Sequence, residues 1–154
     1  MDEREFQQAR ERLNQCPCPF EKAILSSRCG CAKCQRLNIA EREAVACMSP
    51  AAQARCAVLL EQLYQNARFA LKQPRIEGPQ PHARAMKVQC GGLFGLAAVF
   101  SEGADVSPVE NIDALVTQAV ETFGDLEDMP FSEIVKFISR YQVRAKRGHY
   151  WRRH

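Results

Sequence analysis

The chain has 154 residues, 46% hydrophobic and 25% charged, with a formal net charge of +3. That length fits one ordinary domain that can bury a core without covalent staples, and the apolar fraction excludes a disordered chain. Eight glycines and eight prolines exclude collagen-like or linker-dominated architectures.

In chain order, the pattern predicts a short amphipathic helix over Glu5–Leu13, with Phe6, Ala9 and Leu13 on one face. The Cys-Pro-Cys-Pro stretch at 16–19 breaks it, and Pro19 suits the first turn of a helix through Leu25. Residues 26–34, SSRCGCAKC, read as a loop. Asn38 and Glu41 resemble a capping box for a helix through Met48. Ser49-Pro50 then caps and opens another, on which Cys56, Leu60, Leu63, Ala67 and Leu71 share a face. Residues 73–82 form a Pro-rich loop. Helical character resumes at Ala83, is expected to break at Gly91-Gly92, and continues to Phe100. Ser107-Pro108-Val109-Glu110 reads as a capping box for a helix with Val109, Ile112, Val116, Ala119, Val120 and Phe123 on one face, closed by Gly124. Pro130 opens the last helix, whose face is Phe131, Ile134, Val135, Ile138 and Tyr141. No alternating strand pattern stands out.

The expected class is therefore all-α, a compact irregular helical domain of about six to seven short helices with Cys-rich loops. It divides into an N-terminal Cys-rich half (1–72), the Pro-rich loop (73–82) and a C-terminal half with a basic tail (83–154), read together as one domain. The longest apolar run, Gly91 to Phe100, is about half of a membrane span. The opening residues lack the apolar stretch of a secretory signal, so a cytoplasmic location is expected.

In that reducing setting, eight cysteines point to metal or redox chemistry more than to disulfides. Five lie within residues 16–34: Cys16, Cys18, Cys29, Cys31 and Cys34. Cys47, Cys56 and Cys90 follow singly. Thiols serving only as small core residues would be scattered, whereas metal ligation explains the crowding. Structural zinc favours paired Cys-x2-Cys knuckles; only Cys31 and Cys34 form one, and His82, His149 and His154 have no ligand-like spacing. Copper would use the Cys-x-Cys pairs but leaves the single cysteines unexplained. An iron–sulfur cluster takes four thiolates at irregular spacing. Gly30, Gly91 and Gly92 stand beside cysteines, where they would let backbone N–H groups approach the sulfurs and the cofactor.

The expected centre is one [4Fe–4S] cluster with candidate ligands Cys18, Cys29, Cys31, Cys34, Cys47, Cys56 and Cys90. Cys47, Cys56 and Cys90 are the favoured three, and the 29–34 loop supplies the fourth. The Cys16-Pro17-Cys18 pair followed by Cys29-x-Cys31 resembles the catalytic subunit of ferredoxin–thioredoxin reductase over this short stretch. The second pair follows sooner than in that family, the third pair is replaced by Cys34 and isolated cysteines, and no function is carried over.

Charge is segregated. Residues 102–133 hold nine acids and no Lys or Arg, while residues 140–154 hold six Lys or Arg and no acid. The tail Arg140, Arg144, Lys146, Arg147, Arg152 and Arg153, with Tyr150 and Trp151, could complement a helix C-terminus, an acidic protein, or nucleic acid. The expectation is an electron-transfer protein or accessory subunit that docks a redox partner. The alternative is a zinc-stabilised adaptor or regulator that binds nucleic acid or an acidic partner through residues 140–154. A thiol oxidoreductase built on Cys31-Ala-Lys-Cys34 is a third reading. Motifs of hydrolases and nucleotide enzymes are absent.

Overall fold

The computed structural model describes residues 2–72, 80–102 and 108–143. Among these the chain is mostly helical, with α1 Glu3–Leu13, α2 Glu21–Leu25, α3 Pro50–Ala67, α4 His82–Phe100, α5 Ile112–Phe123 and α6 Phe131–Arg140. A short 3-10 turn, Leu126–Asp128, joins α5 to α6, and an antiparallel hairpin, β1 Cys34–Ile39 and β2 Arg42–Cys47, separates α2 from α3. The expected loop at 73–82 falls mostly outside the described residues, as do Ser107 and the basic tail from Arg144 onward.

Local chemistry explains three helix ends. At α1 the Asp2 carboxylate accepts from the Glu5 N–H at 2.8 Å, with acids in the first turn and Arg10 and Arg12 in the last. Ser49 accepts from the Ala52 N–H and Pro50 takes the first turn of α3, as its sequence predicts. Gly124 closes α5 with φ of 82°, a conformation that favours glycine. The opening of α5 is different from expectation. The helix starts at Ile112, and Val109 is bridged in parallel to Cys29. The Gly30 N–H donates to the Val109 carbonyl, so backbone pairing rather than a capping box governs this approach.

The expected helix over Asn38–Met48 is a hairpin instead. Ala40 and Glu41 both take positive φ, 50° and 70°, forming the tight two-residue turn whose twist matches antiparallel strands. Neither residue advertises such a turn, and helix formers populate Glu41–Ala44. Packing overrides that preference: Ile39 and Ala44 are buried against Phe6 and Ala9 of α1.

The main core draws on both sides of the 73–82 segment, including Phe20 and Ile24 of the α2 region, Leu59 and Leu63 of α3, Leu93 and Leu96 of α4, and Ile134 and Ile138 of α6. Fully burying each such side chain stabilises by about 1.5–3 kcal/mol relative to exposure. The helix α4 runs unbroken through Gly91-Gly92, contrary to the expected interruption. Its glycines serve close packing. A Cβ added at Gly91 would lie 2.7 Å from the Ile138 Cα, and one at Gly95 would lie 2.8 Å from the Ile134 carbonyl oxygen. Positions 91 and 95 share a face, so α6 rests directly on the backbone of α4. Gly92 makes the equivalent space for Leu63 of α3.

Candidate thiolate centre

The segment 16–18 lies along the outer side of β2. Pro17 bridges Ala46 antiparallel, the Cys18 N–H donates to the Val45 carbonyl at 3.0 Å, and the Cys47 N–H donates to the Cys16 carbonyl at 2.8 Å. On the other side, β1 pairs Cys34 with Cys47. Since the Cys47 N–H is turned toward Cys16, Cys34 and Cys47 form a closely spaced pair without mutual hydrogen bonds, with side chains on one face. The hairpin therefore brings together two thiols that are thirteen positions apart in sequence.

The Cys31–Cys34 knuckle precedes β1. The Cys34 N–H reaches the Cys31 carbonyl at 3.4 Å, and the Lys33 N–H donates to the Cys31 sulfur at 3.4 Å. The Phe20 backbone makes the corresponding contact, two residues on, with the Cys18 sulfur. Backbone N–H groups aimed at sulfur favour the thiolate form that binds metals. The start of α5 adds to this: the Asp113 backbone faces the Cys31 sulfur, and the Asn111 side chain accepts from the Ala32 N–H at 3.0 Å. A helix N-terminus supplies partial positive charge next to that thiol.

Electrostatics shows which thiols are neighbours. Burial pushes the Cys18 thiol up to about 12, with the negative charges of Cys31, Cys47 and Cys34 adding to it. Cys56, in the second turn of α3, is likewise pushed up to about 12 by burial, then by Cys18, Cys31, Cys47 and Asp113. Cys31 is raised by burial, with Cys34 and Asp113 contributing. Asp113 is itself paired with Arg55 at 3.4 Å. Burial disfavours charge and each nearby thiolate disfavours another, so a cation among these groups would relieve the repulsion.

Five of the candidate ligands, Cys18, Cys31, Cys34, Cys47 and Cys56, are thus near enough to feel one another's charge, at separations longer than a shared ion needs. The other two form a separate pair. Cys29 and Cys90 are buried and hydrogen-bonding partners of each other. Gly30 lies against the Glu110 carbonyl, 2.9 Å from where its Cβ would be, while Gly91 and Gly92 face α6 and α3. The structure therefore does not gather Cys47, Cys56 and Cys90 together, and it gives these glycines packing roles. Among the described residues, no three His, Cys, Asp or Glu side chains stand close enough to share one metal ion. His82 lies at the start of α4, where its Nδ1 is 3.2 Å from the Lys22 Nζ.

Asp113, Tyr141, Ser26 and Arg28 all face cysteines, and sequence reasoning singled out none of them for this. Tyr141 was legible only as an apolar-face residue, and no spacing rule links the other three to their thiols. No helix among the described residues is long and apolar enough to cross a membrane. No family model, curated protein or solved structure matches the chain.

Proposed function

We propose that this chain is a metal–thiolate protein holding a [4Fe–4S] cluster through Cys18, Cys31, Cys34 and Cys47, with Cys56 packed beside them as a fifth thiol. It would serve electron transfer as a carrier or as an accessory subunit of a redox assembly. The observation that supports this is the grouping of these five thiols from four separate segments. An all-thiolate set suits iron–sulfur chemistry, and a cluster tolerates irregular ligand spacing. Its bridging sulfides would occupy space that a single ion would require the thiols to close. When bound, the cluster would supply reversible one-electron transfer. The protein would tune it through the N–H groups of Lys33, Phe20 and Asp113, through burial on the α3 side, and through the negative charge of Asp113.

A second reading is supported by the knuckle. Cys31-x2-Cys34, with its N–H···S turn, leads directly into a hairpin, as structural zinc ligands often do. Such a zinc-stabilised protein would act as an adaptor or regulator, with residues 140–154 available for nucleic acid or an acidic partner. Of this tail, residues 140–143 are described; the Arg140 Nε donates to the Lys136 carbonyl.

Anaerobic purification followed by iron, acid-labile sulfide and zinc determination separates the readings. Iron and sulfide in equal amounts, lost in Cys18→Ser, Cys31→Ser, Cys34→Ser or Cys47→Ser and retained in Cys29→Ser and Cys90→Ser, is the expected result. Zinc without sulfide selects the second reading. A chain that binds neither metal overturns both.

A further inference from the structure

A groove of about 380 Å³ opens where three parts of the chain converge: the residues that follow α3, the first turns of α4 and the residues that follow α6. Lys72, Arg84 and Lys87 line it, together with Leu71, Tyr141 and Val143. Backbone bonds hold each part in place. The Leu71 N–H donates to the Ala67 carbonyl at 2.9 Å, the Lys72 N–H to the Phe69 carbonyl at 3.1 Å, and the Tyr141 N–H to the Phe137 carbonyl at 3.0 Å. Arg84 and Lys87 stand three positions apart on α4 and so share a face. The Arg84 guanidinium also donates to the Gln80 side chain at 3.0 Å.

The charge of this groove is one-sided. Three cations line it and, among the described residues, no acid does. Arg84 and Lys87 are half-buried. Among the described residues, no ion pair joins Lys72 or Lys87 to a carboxylate. Elsewhere in the fold half-buried cations are answered internally, as Arg10 is by Glu21. A half-buried ammonium without a counter-ion carries a desolvation cost, which a bound anion would offset.

We propose that this groove binds a small phosphate monoester with an apolar body. Such a group carries nearly two negative charges and three acceptor oxygens. It matches the planar fork of Arg84 and the point charges of Lys72 and Lys87. Leu71, Tyr141 and Val143 supply an apolar wall that inorganic phosphate alone would leave uncovered. The volume falls in the range of small-molecule sites. The cations meet at one place instead of following a track, as the backbone of a nucleic acid would require. Binding here is independent of the thiolate centre, because no cysteine among the described residues lines the groove.

The test is titration calorimetry of the full chain with naphthyl phosphate, and with inorganic phosphate and naphthol as the two halves of that probe. Expected are one saturable site for naphthyl phosphate, about tenfold weaker binding of inorganic phosphate, and no saturation by naphthol. Amide spectra should shift at residues 70–72, 83–87 and 141–143. Lys87→Gln and the exposed Lys72→Gln should each weaken binding by about tenfold, with circular dichroism confirming that both fold. Lys136→Gln removes an equal charge outside the groove, beside Glu133, and should leave the affinity unchanged. Metal content measured on the same samples reads the thiolate centre separately. Absence of saturable binding, parental affinity in both groove variants, equal affinity for inorganic phosphate, or equal weakening by Lys136→Gln overturns the proposal.

Discussion

Replacing Gly91 by alanine tests the packing that brings α6 onto α4. Alanine favours a helix over glycine by about 1 kcal/mol, so propensity alone predicts stabilisation. The new methyl group, however, would lie 2.7 Å from the Ile138 Cα and 3.0 Å from the Phe137 carbonyl oxygen. These are backbone atoms of a packed helix, which cannot swing aside as a side-chain tip can. Relief requires α6 to withdraw by most of an ångström, loosening Ile134 and Ile138, both fully buried. Overpacking of this kind costs about 1–3 kcal/mol. Because the obstruction is backbone, the upper part of that range applies, and the net loss after the propensity gain is about 1–2 kcal/mol. For a chain of this size that lowers Tm by about 2–8 °C. Urea unfolding followed by far-UV circular dichroism measures it. Gly91→Ala combined with Gly95→Ala should cost less than the sum, since one displacement of α6 accommodates both. A Gly91→Ala protein as stable as the parent would refute the reasoning.

Further outcomes follow from other contacts. Glu21 accepts from Arg10 at 2.6 Å and from the Val45 N–H at 3.0 Å, tying α1, α2 and β2 together; Glu21→Ala should destabilise by about 1.5–3 kcal/mol in urea unfolding. The exposed Arg36–Glu43 pair at 2.9 Å should contribute under about 1 kcal/mol by the same measurement. The Cys90 thiol lies below its ordinary value, so its ionisation stabilises the fold above the unfolded thiol range and that contribution disappears as pH falls through about 7. The stability difference between the wild type and Cys90→Ala should narrow over that interval, and a pH-independent difference would remove the thiolate from the account. Gly124→Ala meets no neighbour but must adopt φ of 82°; a loss of about 1 kcal/mol, appearing as a lowered urea midpoint, is expected.

The parts of this fold legible in sequence are those governed by neighbouring residues. Ser49-Pro50 sets the start of α3, Gly124 sets the end of α5, and the spacing of Phe131, Ile134 and Ile138 identifies the buried face of α6. The hairpin was hidden because its turn uses alanine and glutamate in a glycine-like conformation, at a cost that only distant packing offsets. The glycines of α4 look like helix breakers until α6 and Leu63 are placed against them. The crowding of cysteines was visible in the sequence, but its division was not. Strand register decides that Cys34 meets Cys47, while Cys29 neighbours Cys90 of α4 and Cys31 neighbours Cys34 and Asp113. Such alignments depend on contacts between remote segments, which spacing does not encode.

The placement of Pro17 also bears on self-association. Segment 16–18 covers the outer side of β2, with the Cys18 N–H and the Cys16 carbonyl directed inward. Pro17, between them, has no N–H with which to recruit another strand, and Pro19 repeats the deficit two residues on. A two-stranded ribbon would otherwise offer a template for other chains. The two imino acids thus act as an intermolecular terminator, guarding a thiol-rich edge against polymeric growth.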